Sequence, residues 1–167
     1  MSEPALPVRI EEIPLGDPRI KEFVAFHWKH YEDNPYWVPQ LDADLLGNRL
    51  LGLTGLLTPE HPYHSAASAT HFMAFRGREP LGRVSAVVNN RFNDFYNGKY
   101  AFFGFFECVE EYAVAEALLA AARDWAKAQG AEVLRGPGEY SNATHERQAC
   151  LIDGFDQDVY VEHTYNP

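Results

Sequence analysis

Basic residues are scarce in this chain: 14 Lys and Arg stand against 24 Asp and Glu, for a formal net charge of −10. Nucleic-acid binding needs clustered cations facing phosphates, so the balance argues against that partner. The same charge disfavours docking on anionic membranes, and neither nucleic acid nor membrane is expected as a partner. Cysteine is almost absent. Cys108 and Cys150 are the two present, too few for a disulfide framework, and they read as free thiols. No apolar run approaches the roughly 20 residues that span a bilayer. The start, Met1-Ser-Glu-Pro-Ala-Leu-Pro7, has neither a basic n-region nor an apolar h-region, so no export signal is visible and the expected compartment is the cytoplasm. Repeats, low-complexity segments and linkers are missing as well. What remains is 167 residues, 46% of them apolar and 14% aromatic. That suits one domain, 1–167, able to bury about 70% of its unfolded surface.

The most informative stretch is Tyr100 to Gly138. Tyr100-Ala-Phe-Phe-Gly-Phe-Phe-Glu-Cys-Val109 is aromatic on both faces, as an interior strand covered on each side should be. From Glu110 to Gln129, apolar residues recur at helical spacing: Val114, Leu118, Ala121, Trp125 and Ala128. Gly130 reads as a left-handed helix stop, and Ala131 to Gly136 resumes an extended run. Two strands joined by such a helix lie parallel in one sheet with a right-handed crossover. Ligands of open sheets of this kind bind beyond the carboxyl ends of the strands. That places a site near Glu107, Cys108, Glu110 and residues 136–142.

Upstream, Val8 to Ile13 reads as a strand, and Asp17-Pro18 as an N-cap with proline at the first helical position. Ile20, Phe23, Val24, His27 and Tyr31 form one face of the helix that follows, which should end near Asp33. Leu41 to Leu57 fits either a short helix or an irregular flap. Thr58 to Ser68 is expected as a loop holding His61 and His64. His71–Phe75 and Leu81–Val88 flank Arg76 to Pro80 as a β-hairpin. Asn89 to Gly98 reads as a solvated polar turn region. Asn142 to Asp153 suits a short helix closed by Gly154, and Val159 to Thr164 a last strand. The predicted class is therefore α/β (α+β): a mixed, mostly antiparallel sheet with a parallel strand-helix-strand centre and helices on both faces.

This order of elements resembles the GNAT (Gcn5-related N-acetyltransferase) or acyl-CoA N-acyltransferase fold. The chain is similar, more specifically, to a group of uncharacterised bacterial GNAT-like proteins. The residues carrying that likeness are Tyr31-Glu-Asp-Asn-Pro-Tyr-Trp-Val-Pro39, Gly82-Arg-Val-Ser-Ala-Val-Val-Asn-Asn90, Phe102-Phe-Gly-Phe-Phe-Glu-Cys108, Arg135-Gly-Pro137 and Asp153-Gly-Phe-Asp156. Members of the group run to about twice this length, so the resemblance covers their amino-terminal half. The chain is then either a shortened relative or an amino-terminal portion, a domain incomplete at the carboxyl end. The resemblance implies acetyl-CoA or another acyl-CoA as cofactor, with a small-molecule or protein amine as acceptor. The wider superfamily enters its central helix through Arg/Gln-x-x-Gly-x-Gly/Ala, whose amides cradle a pyrophosphate. Here the same turn reads Cys108-Val-Glu-Glu-Tyr-Ala-Val-Ala115, without glycine and with two consecutive glutamates.

The resemblance sets the candidate residues. Pairing of a pantetheine arm would use the backbone of Phe106, Glu107, Cys108 and Val109. The helix start at Tyr112 and Ala113 would face phosphate through unsatisfied N–H groups and the helix dipole, although Glu110 and Glu111 would repel it. Removing the ammonium proton needs a base, and Glu107, set among Phe residues, is the candidate. Gly136, Tyr140 and Asn142 follow the next strand, with Tyr140 able to bind the acyl carbonyl or protonate a leaving thiolate. Each has a plainer alternative: a solvent-facing glutamate, helix-start acids, or helix caps at Ser141 and Asn142. Cys108 with His145 is a weak nucleophile pair, and His27, His30, His61, His64 and His71 do not make a convincing metal set. Two functions stand side by side. One is acyl-CoA-dependent N-acylation of an amine. The other is a GNAT-fold ligand-binding or interaction module that has lost coenzyme A. An exposed edge at Val159 to Thr164 would favour a homodimer.

Overall fold

The computed structural model describes residues 6–138, 140 and 150–157. Five strands form one sheet in the order β1-β2-β3-β4-β5, sequential from edge to edge. They are β1 (Val8–Pro14), β2 (Ala67–Arg76), β3 (Glu79–Asn89), β4 (Tyr100–Cys108) and β5 (Val133–Arg135). The first four pair antiparallel as a meander, and β5 joins β4 in parallel through Tyr100↔Val133, Ala101↔Leu134 and Phe102↔Arg135. The helices are α1 (Ile20–His30), α2 (Asp42–Leu46), α3 (Asn90–Tyr96) and α4 (Tyr112–Ala128). The mixed sheet and the strand-helix-strand centre match the sequence reading.

Strand parity decides which core each side chain enters. His71, Met73 and Phe75 of β2 and Arg83, Ser85 and Val87 of β3 face α1, with Phe23, Val24, Leu45 and Leu57. Phe72 and Ala74 of β2 and Val84 and Ala86 of β3 face α4, with Val114, Leu118 and Ala122. Burying both faces explains why β3 reads as a near-continuous apolar run.

Four local readings differ from the structure. The helix after Asp17 begins at Ile20, because Asp17 Oδ1 accepts from the Arg19 N–H (2.8 Å) and holds a turn ahead of it. It ends at His30 instead of near Asp33, leaving residues 31–33 as turns. The hairpin needs only Gly77 and Arg78 to turn, so β2 and β3 extend to Arg76 and Glu79. Asn89 to Gly98 is not an open polar turn. Asn89 Oδ1 caps the Phe92 N–H (3.1 Å) and starts α3, which stops at Asn97 in the left-handed region, φ 48°. Residues 150–153 are not helical, and the rest of the helix expected over Asn142 to Asp153 lies outside the described residues, as does Val159 to Thr164. Leu41 to Leu57 resolves into α2 followed by a 3-10 turn over Arg49–Leu51, and Pro62–Ser65 makes a second 3-10 turn.

Candidate active site

The site is built where β4 departs from a regular strand. Between Arg83↔Glu107 and Ser85↔Gly104 the partner count shifts, so β4 carries one residue more than β3. The bulge centres on Phe105, whose φ is 50°, a conformation that is strained for a side chain of this size. It also resets parity. Phe102 and Phe105 both pack against the α1-side core, while Phe103 and Phe106 pack against the α4 side.

Just before the bulge the ladder between the two parallel strands ends. The β4–β5 ladder stops at Phe102↔Arg135, yet β4 runs on to Cys108. One further bond, Gly138 N–H to Phe103 O (2.9 Å), closes the mouth of the split. Gly136 sits against that mouth, where a Cβ would collide with the Phe103 carbonyl oxygen and ring. Only glycine lets β5 approach so closely there. Val109 N–H then returns to Leu81 O (2.8 Å), and the chain enters α4 at Tyr112.

Glu107 does not face solvent. Its carboxylate lies in the α1-side core against Arg83, 2.6 Å from Nη2 and 2.8 Å from Nε, with both side chains fully buried. Arg83 Nη1 also donates to Phe23 O (2.7 Å) and Val24 O (3.2 Å) of α1. Its Nη2 lies 3.3 Å from His27 Nδ1, leaving His27 Nε2 as the N–H that faces Asp42 Oδ1 at 3.6 Å. A buried guanidinium is tolerated only with this many acceptors. Sequence reasoning missed Arg83, although an arginine inside an apolar strand, two before Ser85, was a visible signal.

Tyr140 is also buried, and its hydroxyl meets His71 Nε2 at 3.0 Å. His71 Nδ1 lies 3.1 Å from Ile13 O. A carbonyl only accepts, so Nδ1 holds the proton and Nε2 accepts from Tyr140. Burial pushes the His71 imidazole down to about 4, which keeps it neutral. Ser85 Oγ donates to the Tyr140 oxygen (3.3 Å), and Tyr63 stacks on the ring at 5.2 Å. Phe105 meets the same ring edge-on at 5.9 Å, which ties Tyr140 to the bulge. His64 adds an edge contact (5.9 Å) and donates from Nε2 to Leu56 O at 2.7 Å.

Phe106, Cys108 and Val109 line the α4-side core as partly buried residues. Burial raises the Cys108 thiol above its ordinary range, the reverse of what activates a nucleophile. Tyr112 is exposed at the start of α4. Glu111 there is held by Arg76 in a forked pair of 3.0 and 2.7 Å, so its charge is balanced. The Arg76 guanidinium lowers the Glu111 carboxyl below its usual value. Asn142 and His145 lie outside the described residues. Among the described residues no group of three or more His, Cys, Asp or Glu could hold a metal ion, and no helix is long and apolar enough to cross a membrane.

Past Phe102 and Arg135 no further β4–β5 ladder pair is recorded among the described residues, β4 continues to Cys108, and the amino end of a 17-residue helix follows at once. These are the groups a coenzyme A arm would use. Strand-like pairing asks for backbone groups there, and helix N–H groups suit phosphate.

No protein-family model matches the chain. Protein YghO of Escherichia coli is 27% identical over 137 residues, covering 82% of this chain and 33% of its own. The Bacterial ceramide synthase of Caulobacter vibrioides is 28% identical over 158 residues, covering 93% of this chain and 38% of its own. The chain thus spans about a third of the length of the curated relatives it matches. Among solved structures, a Pyrococcus furiosus protein with a provisional acetyl transferase assignment superposes with a TM-score of 0.51 at 21% identity, over 81% of this chain and 85% of that one. The aminoglycoside N-acetyltransferase AAC(6')-Iy, in complex with CoA, gives 0.51 at 15%, over 86% and 84%. These likenesses show the fold, which is that of the GNAT acetyltransferases.

Proposed function

Starting from a GNAT-like fold, we propose that this chain binds an acyl-CoA in the β4–β5 split and transfers its acyl group to an amine. The observation that supports the reading most is the split itself: a parallel pair that parts after Phe102 and Arg135, next to a bulge at Phe105 and the start of α4. Coenzyme A would supply the acyl group as an activated thioester. Phe106, Cys108 and Val109 would hold its arm through their backbone, and Tyr112 and Ala113 would face its phosphates.

Within this reading Tyr140, whose ring meets Phe105 edge-on at 5.9 Å, is the hydroxyl set against the bulge. Its proton is directed at His71 in the resting geometry, so its oxygen is an acceptor toward a ligand. A turn of the hydroxyl makes it a donor to a leaving thiolate. Glu107 was the sequence candidate for the base. Its pairing with Arg83 would also fix the bulge against α1, and as the base it would take the ammonium proton through water once that pair opens. The relative named Bacterial ceramide synthase makes a long-chain amino alcohol the first acceptor to try, because a ceramide is an amide of such an amine.

Titration calorimetry with CoA and with palmitoyl-CoA tests the first half. Saturable binding that is lost in Gly136→Val supports the split as the seat. The second half is tested by thiol release from palmitoyl-CoA with sphinganine, and with a small hydrophilic amine alongside. Binding without thiol release for either amine would favour the ligand-binding module. Absence of binding would remove the acyl-CoA reading.

A further inference from the structure

Residues 48–53 form a small closed loop whose polar groups turn inward and whose leucines turn out. Asn48 N–H donates to Leu53 O (2.9 Å) and Leu53 N–H to Asn48 O (3.0 Å). The Asn48 side-chain oxygen accepts from the Leu50 and Leu51 N–H groups at 3.0 and 3.3 Å. Gly52, at φ 68°, supplies the left-handed residue that closes the turn. Below the loop, Leu56 N–H donates to Asp44 O (2.8 Å) and Leu57 N–H to Leu45 O (2.9 Å), and all three leucines are core residues. The loop is therefore ordered and anchored before it meets anything. Its tip nevertheless holds Leu50 97% exposed, Leu51 69% and Leu53 44%.

We propose that this leucine loop is a peripheral anchor that inserts into the interfacial region of a phospholipid bilayer. Single exposed apolar residues are ordinary, but a preformed tip of three leucines marks an interaction surface. Charge selects the occupant. In a chain of net charge −10, no acidic residue lies between Asp44 and Glu60, and the single charge in that interval is Arg49. A cation beside an apolar tip suits a phosphate headgroup above hydrocarbon, with the arginine reaching the interface. The N–H groups of Leu50, Leu51, Gly52 and Leu53 are already paired within the loop, which lowers the cost that keeps most loops out of apolar media. The expectation that no membrane is bound came from the bulk charge, which this stretch does not share. Insertion is apolar in origin, so zwitterionic lipid suffices and a growing anionic fraction weakens binding by repelling the rest of the chain. The anchor does not depend on the acyl-transfer reading.

The test is sedimentation of the full chain with phosphatidylcholine vesicles, with and without 20% phosphatidylglycerol, at low and high salt. The expected result is binding to phosphatidylcholine that is insensitive to salt and falls at least tenfold in Leu50→Glu/Leu51→Glu. Both positions are exposed, so that variant keeps its melting temperature. In parallel, Leu50→Trp should show quenching by lipids brominated in their acyl chains. No sedimentation with either vesicle overturns the proposal. So does equal binding by the double variant. A concentration-dependent dimer that the double variant abolishes overturns it too, since a second copy would then cover the loop.

Discussion

Replacing Arg83 by Met should be among the most damaging single changes available to this fold. The guanidinium is fully buried and serves Glu107, Phe23 O, Val24 O and His27 together. Methionine fills much of the volume but leaves a buried carboxylate facing an apolar wall. Removing one partner of a buried pair costs about 3–5 kcal/mol. Each α1 carbonyl that loses its donor adds up to about 1 kcal/mol. For a domain of this size, about 4 kcal/mol corresponds to a melting temperature lower by roughly 8–16 °C. Glu107→Gln removes the charge from the other side and should cost a comparable amount, because the guanidinium then stays buried without its counter-ion. The double variant Arg83→Met/Glu107→Leu removes both charges. Its loss should be several kcal/mol smaller than the sum of the single losses. Urea unfolding followed by tryptophan fluorescence measures all three. Losses under 1 kcal/mol for both single variants, or strict additivity in the double, would refute the view that these charges depend on each other.

His71 makes stability pH-dependent. The folded state holds it neutral down to about 4, whereas the unfolded imidazole takes a proton near 6.5. Between those values the unfolded chain binds more protons, so this contribution is complete above pH 6.5 and is lost as pH falls toward 4. At about 1.4 kcal/mol per unit this amounts to about 3 kcal/mol. His71→Asn, which can still donate to Ile13 O, should flatten that part of the urea-midpoint profile. Gly82→Ala would drive a Cβ into Cys108 Cβ at 2.5 Å and Leu118 Cδ1 at 2.9 Å, and should cost about 1–3 kcal/mol in the same assay. At the start of α4, Glu110→Gly/Glu111→Gly should tighten CoA binding, while Arg76→Ala, which leaves Glu111 unbalanced, should weaken it. Both effects should shrink in high salt, and calorimetric titration reads them.

The strand-helix-strand centre was legible because α4 repeats its apolar face cleanly and both neighbouring strands are uninterrupted. The meander was legible from the hairpin pattern. Three features were hidden. β4 is apolar on both faces, so a one-residue slip in its parity at Phe105 leaves no mark in the pattern. Arg83 and Glu107 lie far apart in sequence, and only the β3–β4 register brings them together. His71 looked like one of several scattered histidines until β1 placed the Ile13 carbonyl behind it and the chain after β5 brought Tyr140 in front. Asn89 to Gly98 was misread because asparagines that favour turns also cap helices, and the cap prevailed at Asn89.

The row Arg83, Ser85, Val87 along one face of β3 also acts as a lock on strand alignment. A slip of β3 by a single residue against its neighbours would turn a guanidinium and a hydroxyl into the apolar layer of Val114 and Leu118. It would at the same time strand Glu107 without its counter-charge. Aliphatic side chains on both faces would tolerate such a slip with little penalty, since every position would still be greasy. The charged pair makes one alignment distinct from its neighbours by several kcal/mol. A strand that is otherwise almost uniformly apolar is thereby given a single address in the sheet.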